Sequence, residues 1–336
     1  MANITFTEGS GLQDSIYGKS QAPIRMFLEK RAEAFEQQSI AKEIFKMEKS
    51  SRFAEKLTSM TAMEGFQPVG ENGAYPVDGF QEGYDKTFEH MTWKDSFSVS
   101  REMVDDSQLI NLRQKPQAFI TGYYRTRERF AAQLLGTAIK KQTSVTWYGK
   151  TFDVRTADGK ALFATDHKMK VKGDTQTNLF ADDFSNDALM AMEERMQNMK
   201  DDNGNVLDIA PDTILIPNDY TLKKAIFAAI GADKDPETSN NGFNYTYGRW
   251  SVIVWPYLND VITAGTKPWI LMDSKYNDDY AGAVWFDRVA LEVKSLIDDG
   301  NDANVWHGYS RFIAGFNDFR FAACGGVTGG TQMISA

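Results

Sequence analysis

The chain has 336 residues, 42% hydrophobic, 12% aromatic and 25% charged, a globular composition that excludes disordered and fibrous classes and is long enough for about two domains. An excess of 46 acidic over 37 basic residues gives a formal charge of −9, which disfavours a surface built to neutralise phosphates; the single cysteine, Cys324, excludes an internal disulfide and a multi-cysteine metal site. No apolar run of about 18 residues and no basic-then-apolar leader occurs, so no membrane span or signal peptide is expected, and synthesis in the cytoplasm is.

From Ile24 to Glu64 there is neither glycine nor proline, and apolar residues recur at helical spacing, as in Leu28, Ala32 and Phe35, then Ile40, Ile44 and Met47, then Phe53, Leu57 and Met60. That pattern predicts an amphipathic helical arm with a break near Lys49–Ser51. Gly65 to Gly83 is turn-rich, with Pro68, Asn72-Gly73, Pro76 and Gly79. Beyond it Met91, Trp93, Phe97 and Val99 alternate with polar residues, the pattern of a half-buried strand. The two stretches together predict a long β-hairpin with a glycine-rich tip. Asp105, Asp106 and Ser107 offer capping oxygens to a helix reaching about Lys141, which Pro116 should kink or divide. Arg125, Arg127 and Arg129 fall on its exposed side, either as a solvated face or as an inter-subunit contact.

Residues 150–180 read as short strands around an Asp158-Gly159 turn. Asp166-His167 reads as a structural hydrogen-bonded pair, because no serine or cysteine motif accompanies it. From Asp182 helix and strand alternate: a helix from Asn186 to Lys200 capped by Ser185, a strand from Asp212 to Ile216, a helix from Asp219 to Ile230 after Asn218, a polar loop from Gly231 to Gly242, and strands Trp250–Trp255 and Trp269–Met272. This predicts a compact α/β module. Asp201-Asp202-Asn203-Gly204-Asn205 resembles a calcium loop, but with Gly204 at the sixth position Met199 stands where the first acidic ligand belongs, so a turn is expected. Met190, Met192, Met196 and Met199 form a stripe expected to face the core. Two long strands, Ala283–Leu296 and Val305–Ala323, follow around an acidic turn, and the glycine-rich tail from Gly325 should be loosely held.

The three histidines, His90, His167 and His307, are far apart, and no phosphate loop, nucleophile elbow or dinucleotide fingerprint occurs. No catalytic, cofactor or metal residue is assigned. A metal-assisted hydrolase on His167, Asp166, Asp182 and Asp183 would rest on one histidine and ordinary acids.

The order of these segments resembles the tailed-phage major capsid proteins of the Hong Kong 97 fold. Ser98-Val99-Ser100-Arg101-Glu102-Met103-Val104-Asp105-Asp106 is similar to the end of that family's extended loop running into its spine helix. Asp158-Gly159-Lys160-Ala161-Leu162-Phe163-Ala164-Thr165-Asp166-His167 resembles a stretch of Mu-like head subunits. Ile214-Leu215-Ile216-Pro217, Trp250 to Leu258, and Gly315-Phe316-Asn317-Asp318-Phe319-Arg320 follow in the same order. The resemblance covers about residues 40–325. It implies an α+β Hong Kong 97-type (HK97-like) fold: an N-terminal arm over 1–63, an extended loop over 64–98, a peripheral domain from 99–181 and 282–336 with a spine helix at about 107–141, and an inserted axial domain over 182–281.

The implied function is a major capsid protein forming hexamers and pentamers of an icosahedral head around double-stranded DNA. The acidic charge suits a wall that must enclose DNA without gripping it. An encapsulin-type compartment shell is the alternative on the same fold. Met91, Trp93, Phe97, Arg125 and Arg129 are the expected inter-subunit contacts, on the argument that a projecting hairpin covers its apolar face only against a neighbour. Only about sixty residues precede the extended loop, so removal of a long N-terminal scaffold is not expected, and either a separate scaffold protein or the arm should guide assembly. Lys86 and Lys94 lie in the loop without making covalent cross-linking expected. Portal and decoration proteins are possible further partners, the virion is the destination, and no membrane is involved.

Overall fold

A computed structural model describes residues 5–8, 18–60, 66, 68–71, 73–75, 77, 82–105, 109–231, 244, 246–298, 300 and 303–334. In chain order these carry β1 (Thr5–Glu8), α1 (Gly18–Gln37), α2 (Ala41–Ile44), β2 (Lys46–Lys49), β3 (Ala54–Met60), β4 (Glu82–Glu89), β5 (Met91–Val99), α3 (Arg101–Asp105) and α4 (Leu109–Ile139). Then come β6 (Ser144–Trp147), β7 (Lys150–Asp153), β8 (His167–Lys168), β9 (Thr175–Gln176), α5 (Asn186–Gln197), β10 (Thr213–Pro217), α6 (Tyr220–Ile230) and β11 (Ser251–Trp255). A 3-10 turn at Pro256–Asp260, β12 (Trp269–Met272), α7 (Ser274–Tyr280), β13 (Ala283–Asp298), β14 (Ala303–Phe316) and β15 (Ala322–Gly325) complete the α+β fold. Two compact units divide the chain, and each is built from separated segments.

The first unit comprises Met1–Glu55, Phe88–Ala131 and Trp285–Ala314. Its sheet has the order β1, β13, β14, β5, with β2 also paired to β13. β1 runs parallel to β13 and β5 antiparallel to β14, in a register that sets Trp93 opposite Ser310 and Phe97 opposite Trp306. Leu28 and Ala32 of α1, Phe119, Ile120 and Tyr124 of α4, and Leu291, Val293 and Trp306 of the sheet form one buried core, with Phe35, Phe97 and Tyr123 against it.

The expected helical arm is shorter than its glycine-free sequence suggests. α1 stops at Gln37, where Gln38 N donates to Phe35 O (3.1 Å), and the Glu128 carboxylate then accepts from Ser39 Oγ (2.6 Å) and Ala41 N (3.2 Å). Beyond Phe45 strand pairing supplies backbone partners and overrides helix propensity, so Met47 lies in β2 against β13 and Leu57 and Met60 in β3 against β4. The expected hairpin is also re-paired: β4 pairs with β3, whereas β5 lies along β14. At the junction His90 is buried, with Nε2 2.9 Å from Ser50 Oγ, and burial together with Arg288 and Arg311 holds its imidazole below the ordinary histidine range. α4 runs unbroken through Pro116, so that proline opens no second segment. The expected caps Asp106 and Ser107 lie outside the described residues, as does nearly all of the polar loop after Gly231.

The second unit comprises Lys56–Thr87, Ala132–Val284 and Gly315–Ala336. Its sheet has the order β11, β10, β12, β15, with β10 parallel to β11 and the other pairs antiparallel. Ser185 Oγ accepts from Ala188 N (3.1 Å) at the start of α5, as the sequence predicts, and Met192, Met196 and Met199 are buried, with Met190 half-buried. Asp219, not Asn218, caps α6 by accepting from Leu222 N (2.8 Å). The acidic Asp201–Asn205 run is a turn: Asp201 Oδ1 accepts from Asn203 N (2.9 Å) and Asn205 N (2.8 Å), and Gly204 takes φ 88°.

Two expectations for the C-terminal segment are corrected. The second long strand ends at Phe316, because Asn317 N turns to Gly282 O (2.6 Å), and Ala322–Gly325 joins the other sheet against β12. The tail is tied down, not loose. Ala181 and Thr331 bond across it (3.0 Å), and the Asp182 carboxylate accepts from Met333 N (2.8 Å) and Ile334 N (3.2 Å). Neither the pairing of Asn317 nor that of Asp182 is local, so no windowed pattern carries it.

Candidate functional site

The residues expected to meet a neighbour divide into two groups. Trp93 stacks on Phe312 at 4.9 Å between ring centroids and packs on Phe130 at 5.4 Å, and its indole N–H donates to Phe312 O (3.3 Å). Phe97 stacks on Trp306 at 5.9 Å and meets Phe119 at 5.1 Å. Met91 is half-buried in the same strand, opposite Phe312. The premise that these side chains need a neighbour to be covered is therefore corrected, since their own sheet and α4 cover much of each. Arg125 and Arg129 are exposed on α4.

Arg127 departs from the exposed cluster. It reaches Asp287 in a two-pronged pair (2.8 and 2.9 Å), while its guanidinium lies 4.6 Å from the Trp285 ring centroid and 5.1 Å from that of Phe312. Two forked bonds plus two aromatic faces satisfy a planar cation that would otherwise be costly to desolvate. Residues two apart lie about 200° around an α-helix, so Arg127 faces away from Arg125 and Arg129, toward the sheet that carries Asp287 and Trp285.

His167 has a carboxylate partner, though not the adjacent one. Its Nδ1 lies 2.6 Å from Asp158 Oδ2 and its Nε2 3.2 Å from Leu162 O, while the ring stacks on Phe319 at 3.8 Å. Asp166 instead pairs with Lys160 (2.5 Å) at the surface. Burial pushes the Asp158 carboxyl up, but the bonds from His167, Thr156 and Lys160 N outweigh it and hold the carboxyl below the usual range. His167 is fully buried and its carboxylate bond ties the Asp158 turn to the following strand, a structural role as the sequence suggests, with Asp158 in place of Asp166 as the partner. The sequence signal for the true partner was the Asp158-Gly159 turn itself, which folds the carboxylate back over nine residues.

Beside it Asn178 donates to Leu162 O (2.7 Å) and Ala322 O (3.0 Å) and accepts from Ala164 N (3.0 Å). Arg320 bonds Asp202 (2.9 Å), Lys200 O (2.9 Å) and Asp318 (3.2 Å). With Asp182 engaged by the tail, the hydrolase residues His167, Asp166, Asp182 and Asp183 do not converge, and among the described residues no group of three histidines, cysteines or acids could hold a metal ion. Burial pushes the Cys324 thiol well above its ordinary range, which leaves it protonated and unreactive. These polar groups hold the fold together, and the surfaces that remain are formed by the described residues. Among them no helix is long and apolar enough to cross a membrane.

Comparison with known proteins identifies what those surfaces belong to. A family model described as phage capsid protein matches residues 84–324. A search of curated proteins finds no match. Among solved structures the chain is similar to a chain of Mycobacterium phage Patience, with a TM-score of 0.51 at 11% identity over 100% of this chain and 96% of that one. It is similar to the capsid of Ralstonia phage GP4, with a TM-score of 0.50 at 11% identity over 85% and 87%. The capsid of Cyanophage P-SCSP1u gives a TM-score of 0.51 at 9% identity over the same shares, 85% and 87%. The chain belongs to the phage capsid protein family, and its α+β fold is that of a tailed-phage major capsid protein of the Hong Kong 97 type.

Proposed function

We propose that this structural protein assembles with copies of itself, as hexamers and pentamers, into the icosahedral head of a phage enclosing double-stranded DNA. The reading rests on the family match over residues 84–324. A physical feature supports it: in the connection between β3 and β4, Tyr75 is 94% and Val77 96% exposed and Phe66 fully so. Large apolar side chains this exposed gain burial against another molecule. In this reading residues 1–63 are an arm, 64–98 an extended loop, 99–181 with 282–336 a peripheral domain, and 182–281 an axial domain. Arg125, Arg129 and the uncovered edges of Met91, Trp93 and Phe97 meet neighbouring subunits.

Assembly in the host cytoplasm, a place in the virion, the absence of an enzymatic reaction, and scaffold, portal and decoration partners belong to the same proposal. The encapsulin-type compartment is not favoured, because the matched family and structures are those of phages. Electron microscopy of the purified protein is the test. Closed shells of hexamers and pentamers are expected, and discrete small oligomers alone would refute the reading.

A further inference from the structure

Within the second unit, two helices carry exposed patches of opposite character. On α6, Tyr220, Lys224 and Phe227 are spaced i, i+4 and i+7 and so share one face; Tyr220 is 75% and Phe227 53% exposed, and Lys224 is exposed. On α7, Asp278, Asp279 and Tyr280 fill the last turn, all exposed, with Tyr280 at 57%. Among the described residues no ion pair engages Lys224, Asp278 or Asp279. The aspartates also stand where they disfavour their own helix, since the C-terminal end of a helix carries partial negative charge and prefers cations. Their position is thus unexplained by the stability of α7.

The sheet decides how the two patches can meet. α6 follows the end of β10 at Pro217, whereas α7 follows the end of β12 at Met272, and Met272 pairs with Thr213 at the start of β10. The two helices therefore set out from opposite ends of one sheet. Two different and complementary patches make a head-to-tail contact, which closes into a ring when the rotation between copies allows. A patch that met its own copy would instead bring lysine to lysine or aspartate to aspartate.

We propose that the Tyr220, Lys224 and Phe227 face of α6 docks on the Asp278, Asp279 and Tyr280 turn of α7 in a second copy of this chain. The aromatic rings supply the buried area, and Lys224 between the two aspartates sets the direction around the ring. This rests on the shell reading and names a contact within it.

Charge reversal tests it in the full-length protein. Lys224→Glu alone, and Asp278→Lys with Asp279→Lys, are each expected to cut shell yield by tenfold or more in microscopy and sedimentation. Combining all three changes should restore at least half of the wild-type yield. Thermal melting of the dissociated subunits controls for folding, and each variant should melt within a few degrees of wild type. Normal shell yield from either reversal, or a triple variant that assembles no better than its parents, would overturn the contact while leaving the shell reading in place. Wild-type protein that forms no shell would overturn both.

Discussion

The two units solve the same burial problem with different chemistry. In the first, Trp93, Phe130, Trp285 and Phe312 pack ring against ring beside one charged group, Arg127. In the second, the segments around His167 and Arg320 are joined largely by polar side chains reaching backbone carbonyls, as Asn178 and Arg320 do. The long strands β13 and β14 already pair their own backbones, so side chains there are free to supply apolar area. Where the chain runs in short bridges and turns, buried carbonyls need side-chain donors, because an unpaired one costs about 1–3 kcal/mol. Polar residues in the second unit therefore do what strand pairing does in the first.

The largest expected effect strikes the polar region. Arg320→Ala leaves the buried Asp202 and the half-buried Asp318 without their cation and should destabilise the subunit by about 3–5 kcal/mol, measured by urea unfolding of dissociated protein. Trp93→Ala attacks the aromatic region; for a half-buried indole a loss of about 2–3 kcal/mol is expected, with an unchanged denaturant slope. An unchanged subunit stability combined with failed assembly would return Trp93 to a purely inter-subunit role.

A smaller effect is pH-dependent. The Asp158 carboxyl is held below its unfolded value, so its contribution is complete above about pH 4 and is lost as pH falls through the folded value. His167→Ala should remove about 1–3 kcal/mol at neutral pH and flatten that acid loss, which unfolding curves between pH 5 and 2 would show.

Lys86 gives the smallest and opposite dependence. It is buried, donates to Arg155 O and lies 3.8 Å from Asp153, and burial pushes its ammonium down to about 8. The unfolded chain then holds the extra proton above that pH, so stability rises from about pH 8 to pH 10. Relative to Lys86→Met the wild type should gain on the order of 1–2 kcal/mol over that interval. A flat difference between the two proteins would show that the ammonium is not desolvated.

Much of the second unit's α/β module was legible residue by residue. Ser185 sits before a helical stripe, and β10, β11 and β12 are apolar runs bounded by turn residues; both signals depend on neighbours within a few positions. The long α4 was legible for the same reason, although Arg127 was grouped with the wrong neighbours. His167 reads as structural from its sequence context, but the chain brings its carboxylate partner from nine residues away and not from the adjacent position. The joining of β3 to β4 was hidden because the pattern of Phe53, Leu57 and Met60 also fits a helix, and only a waiting strand edge chooses between the two.

By itself the sequence determined the fold class, the alternating helices and strands between Asp182 and Met272, the Ser185 cap and a family resemblance strong enough to name the architecture. Tertiary structure alone decided that the β3–β4 and β5–β14 pairings replace a simple hairpin, that Ala322–Gly325 joins the other sheet, and that the glycine-rich tail is anchored on Asp182. The physical reason is range. Caps and periodicity act over one or two turns, whereas strand partners and buried carboxylates are chosen by whichever unpaired backbone group the folded chain brings near, and that choice is not written in any short window.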